Sequence, residues 1–286
     1  RDTDRSRGLG DVYKRQGDTY MKLTILGTGN ALVTECYNTC FALQDGDEVF
    51  LVDGGGGSTI LTRLKQAGID IGNIHTIFVT HKHIDHILGI IWMIRIIGQK
   101  MNGGKYDGNV IIYAHDEVKA LLYEMAEKLL QPKEVRLIGD RIILHEVKDG
   151  EAYEIIGCRT TFFDIGSTKA KQFGFMMELP GGDRFTCCGD EPYNECEERY
   201  AKGSKWLLHE AFCLYSQADV FKPYEKHHST VKDACELAEK LGVSNLILYH
   251  TEDSNIKDRK RLYSEEGRKY YNGNLYIPED LETFDI

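Results

Sequence analysis

Short apolar runs alternate with amphipathic stretches along the chain from Met21 onward. Runs rich in Val, Ile, Phe and Thr are typical of strands, whereas apolar positions that recur every three or four residues indicate helices. The strands predicted in the first half are KLTILG, CFALQ, EVFLVD, HTIFVT and NVIIYA. The helices predicted there are STILTRLKQAG, ILGIIWMIRII and DEVKALLYEMAEKLL.

The second half repeats this rhythm of strand, helix and strand. Several strands are expected between Arg141 and Glu178, followed by the strands FTCCG, KWLLHE and NLILYH and the helix TVKDACELAEKLG. Residues 21–286 are therefore predicted to form one α/β domain built from two similar layers. Residues 1–20 have almost no periodic apolar content, and we expect a disordered or artefactual extension there.

Composition narrows the class of protein. Of the 286 residues, 42% are hydrophobic and 28% are charged, which is typical of a globular domain with a substantial core. The formal charge of −10 argues against a broad basic surface for nucleic acid, although RNA could still contact a local groove. The eight cysteines form no CxxC pair. No apolar run is long enough for a membrane span, so we expect no membrane partner and a cytoplasmic location.

The sequence HKHIDH at positions 81–86 is the strongest chemical signal. It lies between a predicted strand and a predicted helix. Residues i and i+2 of an extended segment project to one side, so His81 and His83 can bind one cation together. Asp85 and His86, at the start of the following helix, can face a second cation. Imidazole and carboxylate groups suit zinc, and the stretch therefore predicts half of a two-metal site.

The same stretch matches the HxHxDH signature of the metallo-β-lactamase superfamily, and other segments resemble its ribonuclease Z-like members. LGTGN resembles the opening loop of that group, LVDGGGG its strand that ends in Asp and glycines, and LLHEAF its HEA segment. HHSTVKDACELAEKLGVSNLILYH resembles its HST helix and final ligand strand. The resemblance covers residues 21–250 at least and implies a four-layer αββα sandwich.

The resemblance also implies the remaining metal ligands. Asp190 stands where the superfamily has a metal-bridging aspartate, and His250 closes the set. One histidine of the family is missing between the second helix and Asp190. We expect Asp164 to replace it, with His115 and His145 as the alternatives. The predicted centre is thus two divalent cations, zinc first and manganese or iron as alternatives, held by His81, His83, Asp85, His86, Asp164, Asp190 and His250.

Two cations roughly 3.5–4 Å apart can generate a bridging hydroxide near neutral pH, and we expect this hydroxide to act as the nucleophile. Asp85 could orient the attacking water. His228, backed by Glu210, resembles the family pair that protonates the leaving group. The sequence therefore predicts a two-metal phosphodiesterase or ribonuclease Z-like nuclease. A lactone or thioester hydrolase of the same fold, and a noncatalytic metal-binding member, are the alternatives.

The expected substrate is smaller than a precursor tRNA. Ribonuclease Z proteins carry a long arm before the bridging aspartate, but here GFMMELPGGDRFTCCG indicates a plain hairpin. ALVTECYN replaces a basic loop of the family and lacks its basic residues. Both departures favour small phosphodiesters or other small esters. Assembly as a homodimer is left open.

Overall fold

The computed structural model describes residues 21–286, so the expectation for residues 1–20 lies outside the described residues. Two seven-stranded sheets form the centre of the domain, in the orders β14-β1-β2-β3-β4-β5-β6 and β13-β12-β11-β10-β9-β8-β7. The strands are β1 Lys22–Gly27, β2 Cys40–Asp45, β3 Glu48–Val52, β4 Ile74–Val79, β5 Val110–Ala114, β6 Ile142–Glu146, β7 Ala152–Ile155, β8 Cys158–Asp164, β9 Phe173–Glu178, β10 Arg184–Cys187, β11 Trp206–Glu210, β12 Asn245–Tyr249, β13 Asn274–Tyr276 and β14 Thr283–Asp285. The helices are α1 Thr59–Gln66, α2 Ile84–Asn102, α3 Asp116–Leu129, α4 Pro132–Val135, α5 Glu198–Ala201, α6 Ala218–Phe221, α7 Val231–Leu241 and α8 Arg259–Gly267.

Strand β3 shows why the sequence gives four layers. Its side chains alternate between two apolar surroundings, because successive residues of a strand point to opposite faces. Val49 and Leu51 pack with residues of α1, α2 and α3. Phe50 and Val52 point the other way, into the core between the two sheets, where Phe50 lies 5.5 Å from the ring of Phe175. The predicted αββα sandwich is confirmed.

Helix α7 covers the outer face of the second sheet. Thr230 begins the helix by accepting a hydrogen bond from the backbone N–H of Asp233, whose carboxylate accepts one from the backbone N–H of Thr230. Gly242 ends it in the left-handed conformation, with φ of 67°. Between these ends, Ala234 and Ala238 are fully buried against strands β11 and β12. The observed helix thus begins after the Thr and ends before the Gly that bound the predicted segment TVKDACELAEKLG.

Parallel strands bring the polar ends of both sheets to one place. Strands β3, β4 and β5 run parallel in the first sheet, and β10, β11 and β12 run parallel in the second. The carboxyl ends of parallel neighbours meet at one edge of a sheet, where ligand sites commonly lie. HKHIDH follows β4, while Asp190 follows β10 and His250 follows β12. The metal-capable residues therefore come from both sheets.

The β9–β10 connection is a short antiparallel hairpin, as the sequence predicted. Leu179 N–H donates to the carbonyl of Asp183 at 2.8 Å, which closes the turn. No protruding arm stands between Asp164 and Asp190, all of whose residues the structure describes. Among residues 21–286, no helix is both long and apolar enough to cross a membrane.

Glu197 is a fully buried carboxyl group beside the short helix α5. Its Oε1 accepts a hydrogen bond from the Asn194 backbone at 2.8 Å, and its Oε2 has no hydrogen-bond partner among residues 21–286. Burial raises the pKa of Glu197 from 4.5 to about 8, so the folded protein holds a proton that the unfolded chain releases. Stability should therefore fall as pH rises from 4.5 to 8.

We predict that Glu197→Gln removes this loss of stability. The variant should gain on the order of 2–4 kcal/mol over the natural protein when pH is raised from 5 to 8, measured by urea unfolding in the presence of a chelator. Glu198→Gln is the matched control, since Glu198 is exposed and pairs with Lys202. If both variants follow the pH dependence of the natural protein, Glu197 is not the titrating group.

Candidate metal centre

The loop between β4 and α2 presents four of the predicted ligands. The helix starts at Ile84, three residues before the predicted segment, and His83 is its extended N-cap residue. Asp85 and His86 consequently lie in the first helical turn, as expected. His81, Asp85 and His86 are buried, whereas His83 is half-buried at the cavity.

Two groups of ligand atoms converge at this point. The first group is His81, His83 and Asp190, and the second is Asp85, His86 and His250; the ligand atoms within each group lie within 4.8 Å of one another. His81 Nε2 lies 2.8 Å from His83 Nδ1. In the second group, Asp85 Oδ2 lies 3.4 Å from Nε2 of both His86 and His250.

Asp190 stands between the two groups. Its Oδ2 lies 3.5 Å from Nε2 of His81, 3.3 Å from that of His86 and 3.2 Å from that of His250. One carboxylate oxygen thus faces imidazoles of both groups, which is the arrangement that a bridging ligand requires. Six of the seven predicted ligands therefore lie together in these two adjoining groups.

The structure does not bring Asp164 to either group, which corrects the seventh assignment. Asp164 is the last residue of β8, and its Oδ1 accepts a hydrogen bond from the backbone N–H of Gly166 at 2.8 Å. Asp side chains commonly make this local bond, which turns the chain after a strand. Its carboxylate therefore belongs to the β8–β9 connection.

Neither of the two alternative histidines joins the ligand groups in place of Asp164. His115 is fully buried and its ring lies 5.5 Å from the ring of Phe173. His145 packs between Tyr113 and Tyr153, with ring centroids 5.3 and 4.9 Å away. The side chain that adjoins Asp190 on this side is Gln172, whose Nε2 donates to Asp190 Oδ1 at 2.6 Å. Sequence analysis missed Gln172, because glutamine is not a typical zinc ligand.

Asp53 orients the rings of His81 and His86 through hydrogen bonds on the side away from the cavity. It follows β3, and its Oδ2 accepts hydrogen bonds from His86 Nδ1 and from the Thr80 hydroxyl, both at 2.7 Å. Because the Thr80 proton points to Asp53, Thr80 Oγ1 accepts from His81 Nδ1 at 3.0 Å. Both histidines are thereby held with Nδ1 protonated and Nε2 free for a cation. The Asp residue was visible in LVDGGGG, but its link to two ligands was not.

The glycines after Asp53 let the loop approach α2. Gly54 N–H donates to His86 O, and Gly89 N–H donates to Gly55 O, both at 2.9 Å. A Cβ on Gly89 would lie 1.8 Å from the Gly54 carbonyl oxygen, so a side chain cannot be accommodated without displacing backbone. The glycine loop thus forms a tight backbone passage beside the site.

Burial and neighbouring charges act in opposite directions on the pKa values of the histidines in the two groups. Burial lowers the pKa of His81 well below its usual value and also lowers that of His83. For His86, burial alone would lower the pKa, but the carboxylates of Asp85, Asp53 and Asp190 outweigh it and raise the pKa well above the ordinary value. The surrounding imidazoles lower the pKa of Asp190 despite its burial. A cation could replace the proton that His86 holds among these carboxylates.

His228 and Glu210 lie beside the second group of ligands. His228 Nδ1 donates to the backbone carbonyl of Asp190 at 3.0 Å and lies 3.5 Å from Glu210 Oε2. The ring stacks on Phe212 with centroids 4.9 Å apart and planes 7° from parallel. Burial alone would lower the pKa of His228, but the neighbouring Glu210 carboxylate raises it overall. The predicted pair is therefore in contact at the cavity.

A cavity of about 380 Å³ opens over these residues. Its walls combine apolar and cationic side chains with four carboxylates, those of Asp85, Asp190, Glu252 and Asp253. Leu32, Phe212 and Phe221 supply the apolar part, while Lys169 and Lys226 supply positive charge. Lys226 Nζ lies 5.1 Å from the Phe212 ring centre. The two lysines could pair with the anionic group of a ligand, and the apolar side chains could contact an apolar or aromatic group.

Known proteins resemble this chain over most of its length. The ribonuclease Z of Methanothermobacter thermautotrophicus is 29% identical, with 93% of this chain and 97% of that protein covered. The metallo-β-lactamase-fold protein YhfI of Bacillus subtilis superimposes with a TM-score of 0.75 at 17% identity, covering 93% of this chain and 99% of that one. Zinc-bound PqqB of Methylobacterium extorquens gives a TM-score of 0.71 at 15% identity, covering 93% and 100%.

The fold and the ligand arrangement define a metallo-β-lactamase-fold protein of the ribonuclease Z-like group, and these likenesses support a metal-dependent hydrolase of the nuclease and phosphodiesterase class. A family model described as "Anti-Pycsar protein Apyc1" matches residues 21–268. The chain belongs to that family.

The residues present fit divalent cations. His86 Nε2 is buried and makes no hydrogen bond to any residue in 21–286, although carboxylate oxygens lie 3.3 and 3.4 Å away. Imidazole nitrogens and carboxylate oxygens without hydrogen-bond partners are costly to bury unless they bind a cation. The donor set thus agrees with the predicted metal binding, while the number and identity of the ions belong to the proposal below.

We predict that Asp190→Ala abolishes both metal binding and activity, because this carboxylate faces both ligand groups. Asp164→Ala is the matched control, and it should leave metal content unchanged. Metal analysis of the two purified variants after dialysis checks this contrast. Two tightly bound metals in Asp190→Ala, or loss of metal in Asp164→Ala, would overturn these assignments.

A second prediction concerns Asp53. Asp53→Asn keeps the shape of the side chain, but its single oxygen replaces only one carboxylate oxygen. Its NH2 group then faces either the backbone N–H of Thr80 or the donors of His86 and the Thr80 hydroxyl. Cation affinity should fall roughly 10- to 100-fold. Competition with a chromophoric chelator measures this affinity, and an unchanged dissociation constant would show that His81 and His86 do not depend on Asp53.

Proposed function

We propose that the protein is a two-metal phosphodiesterase that acts on small phosphodiesters. The arrangement that carries this proposal is Asp190 Oδ2 facing imidazoles of two ligand groups, with the His228–Glu210 pair beside it. Zinc is the first expectation for the two cations. Manganese and iron are less favoured than they were on the sequence, because Asp164 adds no carboxylate to the site.

The chain supplies distinct groups for binding and for proton transfer. His81, His83 and Asp190 would hold one cation, and Asp85, His86, His250 and the shared Asp190 the other. Cations bound there would supply Lewis acidity to a substrate oxygen and to water. Asp85 lines the cavity and orients the attacking water, while Lys169 and Lys226 attract the anionic substrate.

His228 supplies the proton for the leaving group. Its Nδ1–H is engaged by the Asp190 carbonyl, so Nε2 is the nitrogen left to exchange a proton with substrate. Glu210 favours the protonated ring, and the Phe212 stack fixes its plane. This pair favours phosphodiester cleavage over thioester hydrolysis, since an alkoxide leaving group needs a proton donor more than a thiolate does.

The cavity and the hairpin together favour a small substrate. The space of about 380 Å³ is that of a small-molecule pocket, and the short β9–β10 turn offers no extended surface for a folded RNA. A cytoplasmic location and a homodimer stay predictions. The substrate class is tested by assaying one metal-loaded preparation on three substrates: bis-p-nitrophenyl phosphate, a lactone and a precursor tRNA. Cleavage of the tRNA or lactone alone would overturn the proposal.

We predict that His228→Ala lowers the rate on an alkyl phosphodiester roughly 10²- to 10⁴-fold. The loss should be much smaller on a p-nitrophenyl ester, because p-nitrophenolate leaves without a proton. Rates on both substrates and metal content are the measurements. His227→Asn is the control, since His227 is an exposed neighbour with φ of 59°, which Asn tolerates. Equal losses on both substrates would assign His228 a different role.

A further inference from the structure

Gln172 is a fully buried polar side chain next to the metal centre. It immediately precedes β9, and its backbone carbonyl accepts a hydrogen bond from Ile165 N–H at 3.1 Å. Burying an amide is costly unless its donors and acceptor find partners. Its Oε1 has no hydrogen-bond partner among residues 21–286. The free-energy cost of burying this amide suggests that its side chain has a function at the metal centre.

The orientation of the Gln172 amide follows from its neighbours. A buried carboxylate can only accept, so the atom 2.6 Å from Asp190 Oδ1 must be the amide nitrogen. The same nitrogen lies 3.2 Å from His81 Nδ1. That histidine nitrogen already carries a proton that points to Thr80, so the hydrogen bond of Gln172 goes to Asp190.

This hydrogen bond determines which oxygen of Asp190 is available to the cations. Oδ1 is occupied by Gln172, and Oδ2 is the oxygen that lies 3.2–3.5 Å from the three imidazoles. Gly189 makes room for the contact: a Cβ there would approach Gln172 Nε2 to 2.9 Å, and its φ of 77° already disfavours a side chain. Gly189 and Asp190 are thus both suited to the hydrogen bond from Gln172.

We propose that Gln172 is a positioning residue that orients Asp190 as the bridging carboxylate and does not itself bind a cation. In place of the missing seventh ligand, the chain has a hydrogen-bond donor to a ligand. Among residues 21–286, the first group then offers three protein ligands, His81, His83 and Asp190, and a cation held by them would have room to bind a substrate oxygen. This inference rests on the proposed cation binding.

The test compares Gln172→Met, Gln172→Glu and the natural protein. Methionine has a similar length but donates no hydrogen bond. Glutamate could bind a cation, but its charge would repel Asp190. A donor role predicts that both variants raise the apparent dissociation constant of at least one zinc ion about 10- to 100-fold, with glutamate no better than methionine. A ligand role predicts instead that glutamate binds zinc as tightly as the natural protein or more tightly.

The melting temperature of the metal-free protein separates positioning from simple packing. Gln172→Met removes an unpaired buried oxygen but also leaves Asp190 Oδ1 without its donor, so we expect the melting temperature to fall only slightly while the zinc dissociation constant rises about 10- to 100-fold. Gln44→Met is the matched control, since Gln44 on β2 also has a buried oxygen without a partner in the described chain. Unchanged zinc affinity in both Gln172 variants overturns this inference alone. If the natural protein binds no divalent cation, the proposed function fails as well.

Discussion

The carboxylate of Asp53 connects the elements on which the metal centre depends. It accepts from the backbone and hydroxyl of Thr80 after β4 and from His86 in α2, while its own backbone adopts φ of 56° at the end of β3. A non-glycine residue rarely adopts this conformation, and such strain persists where surrounding interactions compensate it. Three hydrogen bonds to one buried carboxylate provide that compensation, and they set the nitrogen that each histidine presents to a cation.

Much of the architecture could be predicted because it depends on local patterns. The apolar periodicities gave the strands and helices, and HKHIDH at a strand–helix junction gave four ligands, since their relative positions follow from a few consecutive residues. Asp190 and His250 came only through a resemblance, because their proximity depends on two parallel strands meeting at one edge. The start of α2 at Ile84 instead of Ile87 reflects an N-cap, His83, that is not a typical capping residue.

The error at Asp164 has a different physical origin. Order along the chain identified the right connection between β8 and β9 but not which side chain turns inward. Asp164 bonds to Gly166 nearby, whereas Gln172, eight positions later, reaches Asp190. Polar residues in one loop compete between local backbone bonds and distant partners, and the sequence does not reveal the outcome. The same limit applies to Thr80, because its hydroxyl can orient His81 only when Asp53, which follows another strand, accepts its proton.

The division of the ligands between the two sheets makes the cations cross-links between the halves of the chain. The four ligands from His81 to His86 follow a strand of the first sheet, while Asp190 and His250 follow strands of the second. A cation that binds both halves favours the folded state over the unfolded one by mass action. Two separately expressed halves of this protein would accordingly associate in a metal-dependent manner, and bound metal would slow proteolysis of the intact chain.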